Sequence, residues 1–274
     1  MSNTEIAEGT VLLSLKDVSL RLGHNQILDK VSFEVQNRHR PGIVTGQIVG
    51  LLGPSGVGKT RIIRLISGLD APDAGSIRGM EGKLLTAGTV GVVFQNYPLL
   101  RHRTVFGNLL VGGISAGLSH KESKARADDL LNQFRLSERG DFYPAQLSGG
   151  QRQRAAIAQQ LMRPRQLLLM DEPFSGLDPA ALEALIHLLI EVRDQHDLNT
   201  IIVVTHDIRA SLIVSDTLFT LGRNRDAEGK IIPGAKIQEK IDLVEEGLAW
   251  RKDVEFEPKF TTREREIKAK FHTL

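Results

Sequence analysis

The chain has 274 residues, enough for one large domain or two small ones, and its composition is ordinary for a globular protein. Its 35 basic and 33 acidic side chains nearly balance, so the net charge of +2 predicts no strong attraction to nucleic acid or anionic lipid. The absence of cysteine excludes disulfides and thiolate metal sites. No apolar run approaches the roughly 20 residues of a membrane span, so we expect membrane contact only through a partner.

Apolar strands alternate with amphipathic helices along most of the chain. Residues 11–22 and 31–35 alternate apolar and polar side chains, as half-buried strands do. A buried strand then leads through a glycine-rich loop into a helix, and short apolar strands follow at 90–94, 167–170 and 201–205. Helices are predicted over much of 104–136, from 151 to 162 and from 179 to 194. This alternation predicts a largely parallel sheet covered on both faces.

Residues 216–243 read as strand, turn, strand, and the densely charged stretch from 250 to 274 reads as a terminal helix or a loose tail. We expect no second domain there.

The segment GPSGVGKT, residues 53–60, has the G-x-x-x-x-G-K-[ST] pattern and lies between a predicted strand and a predicted helix. Its glycines let backbone N–H groups wrap phosphate oxygens at a helix N-terminus. Lys59 supplies a point charge for phosphates, and the Thr60 hydroxyl is a Mg²⁺ ligand. Arg61 follows where a plain hydroxyl residue is more usual, and it either adds charge to the site or faces solvent.

A carboxylate pair ends the apolar strand at 167–170. Asp171 stands where a phosphate-loop protein holds the Mg²⁺ shell, and Glu172 can orient and deprotonate an attacking water. A helix cap is the alternative interpretation of the pair. Gln95 and His206 follow two other strands in the same way, which favours the ligand crevice over a structural role.

The segment LSGGQ, residues 147–151, opens a helix and forms a second anion-receptive helix N-terminus. Two such helix starts with one phosphate loop suggest a site that two copies of the chain share.

Together these motifs resemble the ABC (ATP-binding cassette) ATPase family. The order is GPSGVGKT, Gln95, LSGGQ, LLLMDEP, SGLD (residues 175–178) and His206, and the resemblance covers roughly residues 12–243. It implies an α/β fold: a P-loop NTPase with a RecA-like core, an N-terminal antiparallel β subdomain and an inserted α-helical subdomain that carries LSGGQ. The implied ATPase domain is residues 1–245, with its helical part at about 100–165, and residues 246–274 form a charged C-terminal tail.

The resemblance also implies site residues. The catalytic set is Glu172 as the base, His206 as the switch histidine, and Gln95. Mg²⁺ is held by Thr60, Gln95 and Asp171. ATP is bound by Gly53, Pro54, Ser55, Gly56, Val57, Gly58, Lys59, Thr60 and Arg61. The ATP of the opposite subunit is contacted by Ser148, Gly149, Gly150, Gln151 and Asp178.

The implied assembly is a head-to-tail homodimer with two ATP molecules between the copies, attached to separate transmembrane permease subunits. It lies peripherally on the cytoplasmic side of the cell membrane, and a solute-binding protein is a further expected partner. The stretch after Gln95, the DEPFSGLD segment and the ending GAKIQEKIDL look most like importers for nitrate, sulfonate and taurine.

Two features depart from the family pattern. The family usually places an aromatic residue before the glycine of the first hairpin to stack on adenine, whereas this chain has Leu22 there. Adenine then packs on Leu22, or His24 substitutes. Residues 37–45 lengthen the connection before the phosphate-loop strand, as a tolerated surface loop or as a partner-specific contact.

Three functions compete. The first is the energising subunit of a membrane transporter, an importer by resemblance. The second is a soluble ABC ATPase acting on ribosomes or nucleic acid, against which stand the near-neutral charge and the single cassette. The third is a regulatory protein that binds ATP without hydrolysing it, against which stand Glu172 and His206.

Overall fold

The structure, a computed structural model, describes residues 7–38, 46–163, 167–195, 200–251 and 253–271. Nine strands occur in these ranges: β1 (Val11–Leu22), β2 (Asn25–Gln36), β3 (Gln47–Leu52), β4 (Ala74–Gly79), β5 (Gly91–Val93), β6 (Leu167–Asp171), β7 (Thr200–Thr205), β8 (Thr217–Arg225) and β9 (Ile231–Asp242). Seven α-helices accompany them: α1 (Lys59–Ile66), α2 (Val105–Ser115), α3 (His120–Gln133), α4 (Gly149–Gln160), α5 (Pro179–Gln195), α6 (Ile208–Val214) and α7 (Pro258–Phe271).

The nine strands form one sheet in the order β4-β1-β2-β9-β8-β3-β7-β6-β5. From β8 to β5 the neighbours are parallel, whereas β8–β9, β1–β2 and β1–β4 are antiparallel. A single parallel pair, Leu28 with Ala235, joins β2 to β9. The predicted parallel core with an N-terminal antiparallel part is therefore confirmed.

Successive side chains of the central strands point alternately into two separate hydrophobic cores. On β6, Leu168 and Met170 pack with helices α2 to α5, whereas Leu167 and Leu169 pack with α1 and the antiparallel strands. Because both faces are covered, the strands read as continuous apolar runs rather than as alternating ones. Burying each such side chain contributes about 1.5–3 kcal/mol, so both cores hold the strand ends in place.

The helical segment begins with two capped helices. Thr104 caps α2, and Ser119 caps α3 in a reciprocal capping box with Glu122. Asn108 of α2 is fully buried and bonds the backbone of Leu100, Arg103 and Thr104. Asn108 thus fixes α2 to the loop that precedes it, while the bounds of the helical subdomain, about 100–165, stay a prediction.

The C-terminal stretch is helical and packed. Phe260 and Ile267 of α7 are buried in a third core with Leu52 and Leu218. Of the two sequence interpretations, the terminal helix is therefore the observed one, while the domain boundary after residue 245 stays a prediction. Most of the predicted insertion, residues 39–45, lies outside the described residues.

None of the helices in the described part of the chain combines the length and the apolar character needed to cross a bilayer.

Candidate active site

The carboxyl ends of the central parallel strands converge on one edge of the sheet. Gly53 follows β3, Glu172 follows β6 and His206 follows β7. Backbone bonds lock these ends together: the Gly53 N–H donates to the Thr205 carbonyl at 3.2 Å, and the Glu172 N–H donates to the Val204 carbonyl at 2.7 Å. This edge is where open α/β sheets bind ligands, so it is the candidate site.

The phosphate loop is shaped by positions that only glycine suits. Gly58, the N-cap of α1, has φ 114°, and a Cβ there would approach Leu28 and Ile27 to 3.0 and 3.1 Å. Gly56 has φ 77°. The loop therefore packs closely on β2 while its backbone turns into the helix N-terminus.

Lys59 lies inside the loop and is 5% exposed. Its Nζ donates to the carbonyls of Gly53 and Pro54 at 2.7 and 3.0 Å and pairs with Glu172 Oε1 at 3.1 Å. Because a buried ammonium needs a partner, the carboxylate next to the strand end fixes the lysine in the loop.

Thr60 and Asp171 meet beneath the loop. The Thr60 hydroxyl donates to Asp171 Oδ1 at 3.2 Å. Burial raises the pKa of Asp171; the Thr60 hydrogen bond opposes this shift, the charge of Glu172 adds to it, and that of Lys59 opposes it. The two oxygens are hard ligands of the kind that Mg²⁺ prefers, so the residues fit the predicted metal.

Glu172 is the centre of the site. Its Oε2 accepts from the Thr205 hydroxyl at 3.2 Å and from the His206 N–H at 3.3 Å, and lies 2.8 Å from His206 Nδ1. The residue adopts a left-handed backbone with φ 49°, which is unusual for a side chain other than glycine. A strained, partly exposed carboxylate held by an imidazole is an arrangement typical of functional sites.

One open cleft of about 480 Å³ collects most of the predicted nucleotide-binding residues. Its lining includes Ser55, Gly56, Gly58, Lys59, Thr60, Arg61, Gln95, Glu172, Ser175 and His206. Gly53, Pro54 and Val57 are not among its lining residues, and Val57 is buried in the core. Asp171 lines a neighbouring cleft instead, and Gln95 lines both clefts.

The cleft also bears on two questions that the sequence left open: which side chain packs on adenine, and whether Arg61 faces solvent. Leu22 and Ile27 line the cleft, whereas His24 does not, so an apolar surface stands where an aromatic residue is usual. Arg61 lines the cleft and its Nη1 lies 3.5 Å from Asp70 Oδ2. Its guanidinium is thus loosely paired and not simply solvated.

The remaining predicted residues lie outside this cleft and make only local bonds. Ser148 and Gln151 form a reciprocal capping box at the start of α4. Asp178 accepts the Ala181 N–H at 2.9 Å at the start of α5. A Cβ added at Gly149 or Gly150 would meet nothing within 4 Å. The structure therefore divides the predicted site residues into two groups.

Three side chains that support the site were missed from the sequence. Gln153 of α4 is buried and donates to the Pro173 carbonyl at 2.7 Å, which ties the LSGGQ helix to the turn that carries Glu172. Arg223 of β8 donates to the Gly56 carbonyl at 2.9 Å. Thr205, which the sequence places only within a strand, donates its hydroxyl to Glu172 Oε2 at 3.2 Å. Nothing in the local pattern shows that these polar side chains point inward.

Comparisons with known proteins give one family. The sequence profile described as "ABC transporter" matches residues 37–175. A probable sulfate/thiosulfate import ATP-binding protein CysA from Chlorella vulgaris is 37% identical over 233 residues, covering 83% of this chain and 92% of that protein. CysA of Gloeobacter violaceus is 39% identical over 77% of this chain, and the alignment spans 60% of its length.

Solved structures agree in fold. The ATP-binding cassette MJ0796, described as dimeric in a post-hydrolysis state with ADP and Pi, has a TM-score of 0.66 at 26% identity, covering 85% of this chain and 99% of that one. The cbiO1 structure from Clostridium perfringens has a TM-score of 0.72 at 22% identity, with 96% of each chain covered, which bears on the fold alone. The chain therefore belongs to the ABC transporter family, and it is an ABC ATPase.

Proposed function

We propose that this chain hydrolyses ATP at a site completed by a second copy and that hydrolysis energises import of a small solute through separate membrane subunits. The observation that carries the proposal is the Lys59–Glu172–His206 chain of contacts inside the phosphate-loop cleft. It joins a phosphate-binding cation, a base and a group that orients the base.

Lys59 exchanges partners when nucleotide binds. Its ammonium pairs with Glu172 in the structure, and the β- and γ-phosphates of ATP compete for the same charge. As Lys59 turns to the phosphates, Oε1 of Glu172 becomes free to accept the proton of the attacking water. His206 Nδ1 and the Thr205 hydroxyl keep Oε2 in place, so the carboxylate stays aimed at the water.

Thr60, Asp171 and Gln95 are proposed to hold Mg²⁺, which would supply positive charge to neutralise the phosphates. Thr60 and Asp171 supply two adjacent oxygens, and Gln95 lines both the cleft that Thr60 lines and the cleft that Asp171 lines. Among the described residues no group of three or more acidic, histidine or cysteine side chains could hold a metal. Reliance on phosphate and water for the remaining ligands is how Mg²⁺ is usually bound.

Ser148, Gly149, Gly150, Gln151 and Asp178 are proposed to contact the ATP held by the opposite copy. Ser148 and the two glycines are accessible at the start of α4, and the Ser148 hydroxyl accepts its cap bond, which leaves its O–H proton to donate to an anion. An accessible helix N-terminus of this kind attracts an anion. A head-to-tail dimer would bring it over the phosphate-loop cleft of the partner, in line with the dimeric description of MJ0796.

Import is supported by the relatives, which are named for sulfate and thiosulfate import. We propose a small oxyanion of this class as the solute, a permease as the membrane partner, a solute-binding protein as a further partner, and a position on the cytoplasmic side. The resemblance to nitrate, sulfonate and taurine importers stays a prediction.

The proposal is tested with Glu172→Gln. The amide cannot accept the water proton, so we expect hydrolysis to fall by roughly 10³-fold while ATP still binds. Light scattering with saturating ATP and Mg²⁺ should then show a stable dimer. Glu183→Gln, an exposed carboxylate on α5, should hydrolyse ATP normally. A Glu172→Gln protein that stays monomeric under these conditions would contradict the shared site.

A further inference from the structure

A second, smaller cavity lies between the helical segment and the core helix α5. Its volume is about 160 Å³, and it shares no lining residue with the nucleotide cleft. Phe134 and Leu188 form part of its apolar wall. Since one water occupies about 30 Å³, the cavity has room for a small polyatomic ion with a few waters.

Two arginines face this cavity without an acidic partner. Arg135 follows α3 and Arg154 lies on α4. The Nε of Arg154 is buried and has no hydrogen-bond partner. Burial lowers the pKa of Arg154, and the positive charge of Arg135 lowers it further. In the described part of the chain, neither guanidinium forms an ion pair, although Glu191 of α5 also lines the cavity.

The backbone holds Arg135 in this position at a cost. Its φ is 54°, in the left-handed region that glycine favours after a helix. Phe134 before it and Leu136 after it are fully buried, which leaves the residue little freedom to relax. The strain is local to the backbone, but the charges of the exposed Arg135 and the half-buried Arg154 repel each other, and an anion between them would compensate that repulsion.

We propose that this cavity binds a small tetrahedral oxyanion of the sulfate or phosphate class between Arg135 and Arg154. Guanidinium groups donate in a planar fork that matches two oxygens of such an anion, and a buried Nε–H is a donor that water does not reach. His187 of α5 lines the same space from the exposed side, with its Nε2 3.8 Å from Glu183 Oε1, and its other ring nitrogen would be a third donor.

The bound anion would link α4 to α5. The first turn of α4 carries Gly149 and Gly150 of LSGGQ, and α5 begins directly after Asp178. An oxyanion in the cavity therefore braces the part of the chain that we propose to face the second copy.

The test is a calorimetric titration of the full chain with sodium sulfate at constant ionic strength. A non-hydrolysable ATP analogue and Mg²⁺ are present at saturation, so that the phosphate loop is occupied and cannot bind the sulfate. We expect one sulfate per chain in addition to the nucleotide. A parallel titration with phosphate identifies the source: equal affinities indicate a pocket that free phosphate also fills, and a preference for sulfate indicates sulfate itself.

Two variants locate the binding. Arg154→Gln should weaken sulfate binding by at least about tenfold, because a charge-assisted fork is lost. Arg135→Gly should do the same while relieving the backbone strain, so it tests the site even if Arg154→Gln folds poorly. Arg152→Gln removes the same charge from an exposed position on α4 and should bind sulfate as the unaltered chain does.

The inference is overturned if the unaltered chain takes up no sulfate or phosphate once the phosphate loop is filled. It is equally overturned if Arg135→Gly and Arg154→Gln bind as tightly as Arg152→Gln.

Discussion

The phosphate-loop cleft and the LSGGQ helix start differ in how their residues are held. In the cleft, Lys59, Glu172 and His206 come from distant parts of the chain, and Glu172 contacts both of the others directly. At the start of α4, Ser148 makes only local bonds in the described part of the chain, to Gln151 and Arg152 within the first turn. One half of the proposed site is therefore assembled within the chain, whereas the other is a presented surface whose local bonds are already satisfied.

The difference shows how one sequence can encode both halves of a shared site. Groups that carry out chemistry need fixed partners, and the sheet edge supplies them. Groups that recognise a partner's ligand need accessibility and a preset shape, and a capped helix N-terminus supplies both. If the two halves differ in this way, variants in each half should fail in different, measurable ways.

The largest effect on nucleotide affinity is expected for Lys59→Ala. Loss of the buried ammonium removes the phosphate contact and leaves the Glu172 carboxylate without its cation, so we expect ATP affinity to fall by roughly 100-fold. A fluorescent nucleotide titration measures it. Lys83→Ala, at an exposed lysine, should bind normally. If the ATP affinity of Lys59→Ala were unchanged, Lys59 would not be a phosphate-binding residue of the cleft.

Ser148→Arg should separate binding from hydrolysis. The bulky cation blocks the presented surface but not the cleft of its own chain, so hydrolysis should fall at least about tenfold with nucleotide affinity unchanged. Ser119→Arg is the matched control, because Ser119 caps α3 with the same kind of capping box. Chemical denaturation should show each variant losing about 1 kcal/mol of unfolding free energy. Equal hydrolysis rates in the two variants would deny Ser148 any role beyond its cap.

Gln153→Leu tests the link between the halves. It leaves the Pro173 carbonyl without its donor, so we expect a loss of about 1–3 kcal/mol in unfolding free energy and a several-fold lower kcat. Gln159→Leu breaks a comparable bond, to the Asn108 carbonyl at 3.2 Å, away from the Glu172 turn. It should lower stability but leave kcat unchanged, and a matching loss of kcat there would indicate general loosening.

The smallest effect is expected for Asp171→Asn in the chain without nucleotide. Burial raises the pKa of Asp171, so the folded chain keeps this proton to higher pH than the unfolded chain does. The stability that the protonated carboxyl contributes is lost as the pH rises through the folded pKa. We therefore expect Asp171→Asn to be more stable than the unaltered chain by about 1 kcal/mol at neutral pH, and the advantage to shrink in acid. Thermal unfolding at several pH values checks it, and a variant that is less stable at neutral pH contradicts it.

Much of the assembled half was predictable, because strand ends and a glycine-rich loop are local patterns. The phosphate loop, Asp171 and Glu172 lie at the predicted sheet edge, and the resemblance correctly implied the family and the fold. The strand β4 and the helix α6 were not anticipated, since each is short and is stabilised by neighbours distant in sequence. The inward orientation of Gln153 and the contact of Arg223 with the loop depend on tertiary packing, which no local pattern encodes.

The central claim is that the two groups of residues act in different copies of the chain, and mixing two inactive variants tests it most directly. Lys59→Ala keeps a whole LSGGQ surface, and Ser148→Arg keeps a whole phosphate-loop cleft. If the site is shared, each mixed dimer contains one complete site. With random pairing, the hydrolysis rate of an equal mixture should rise to roughly a quarter of that of the unaltered chain. A mixture no more active than the average of its two separate components would contradict the account.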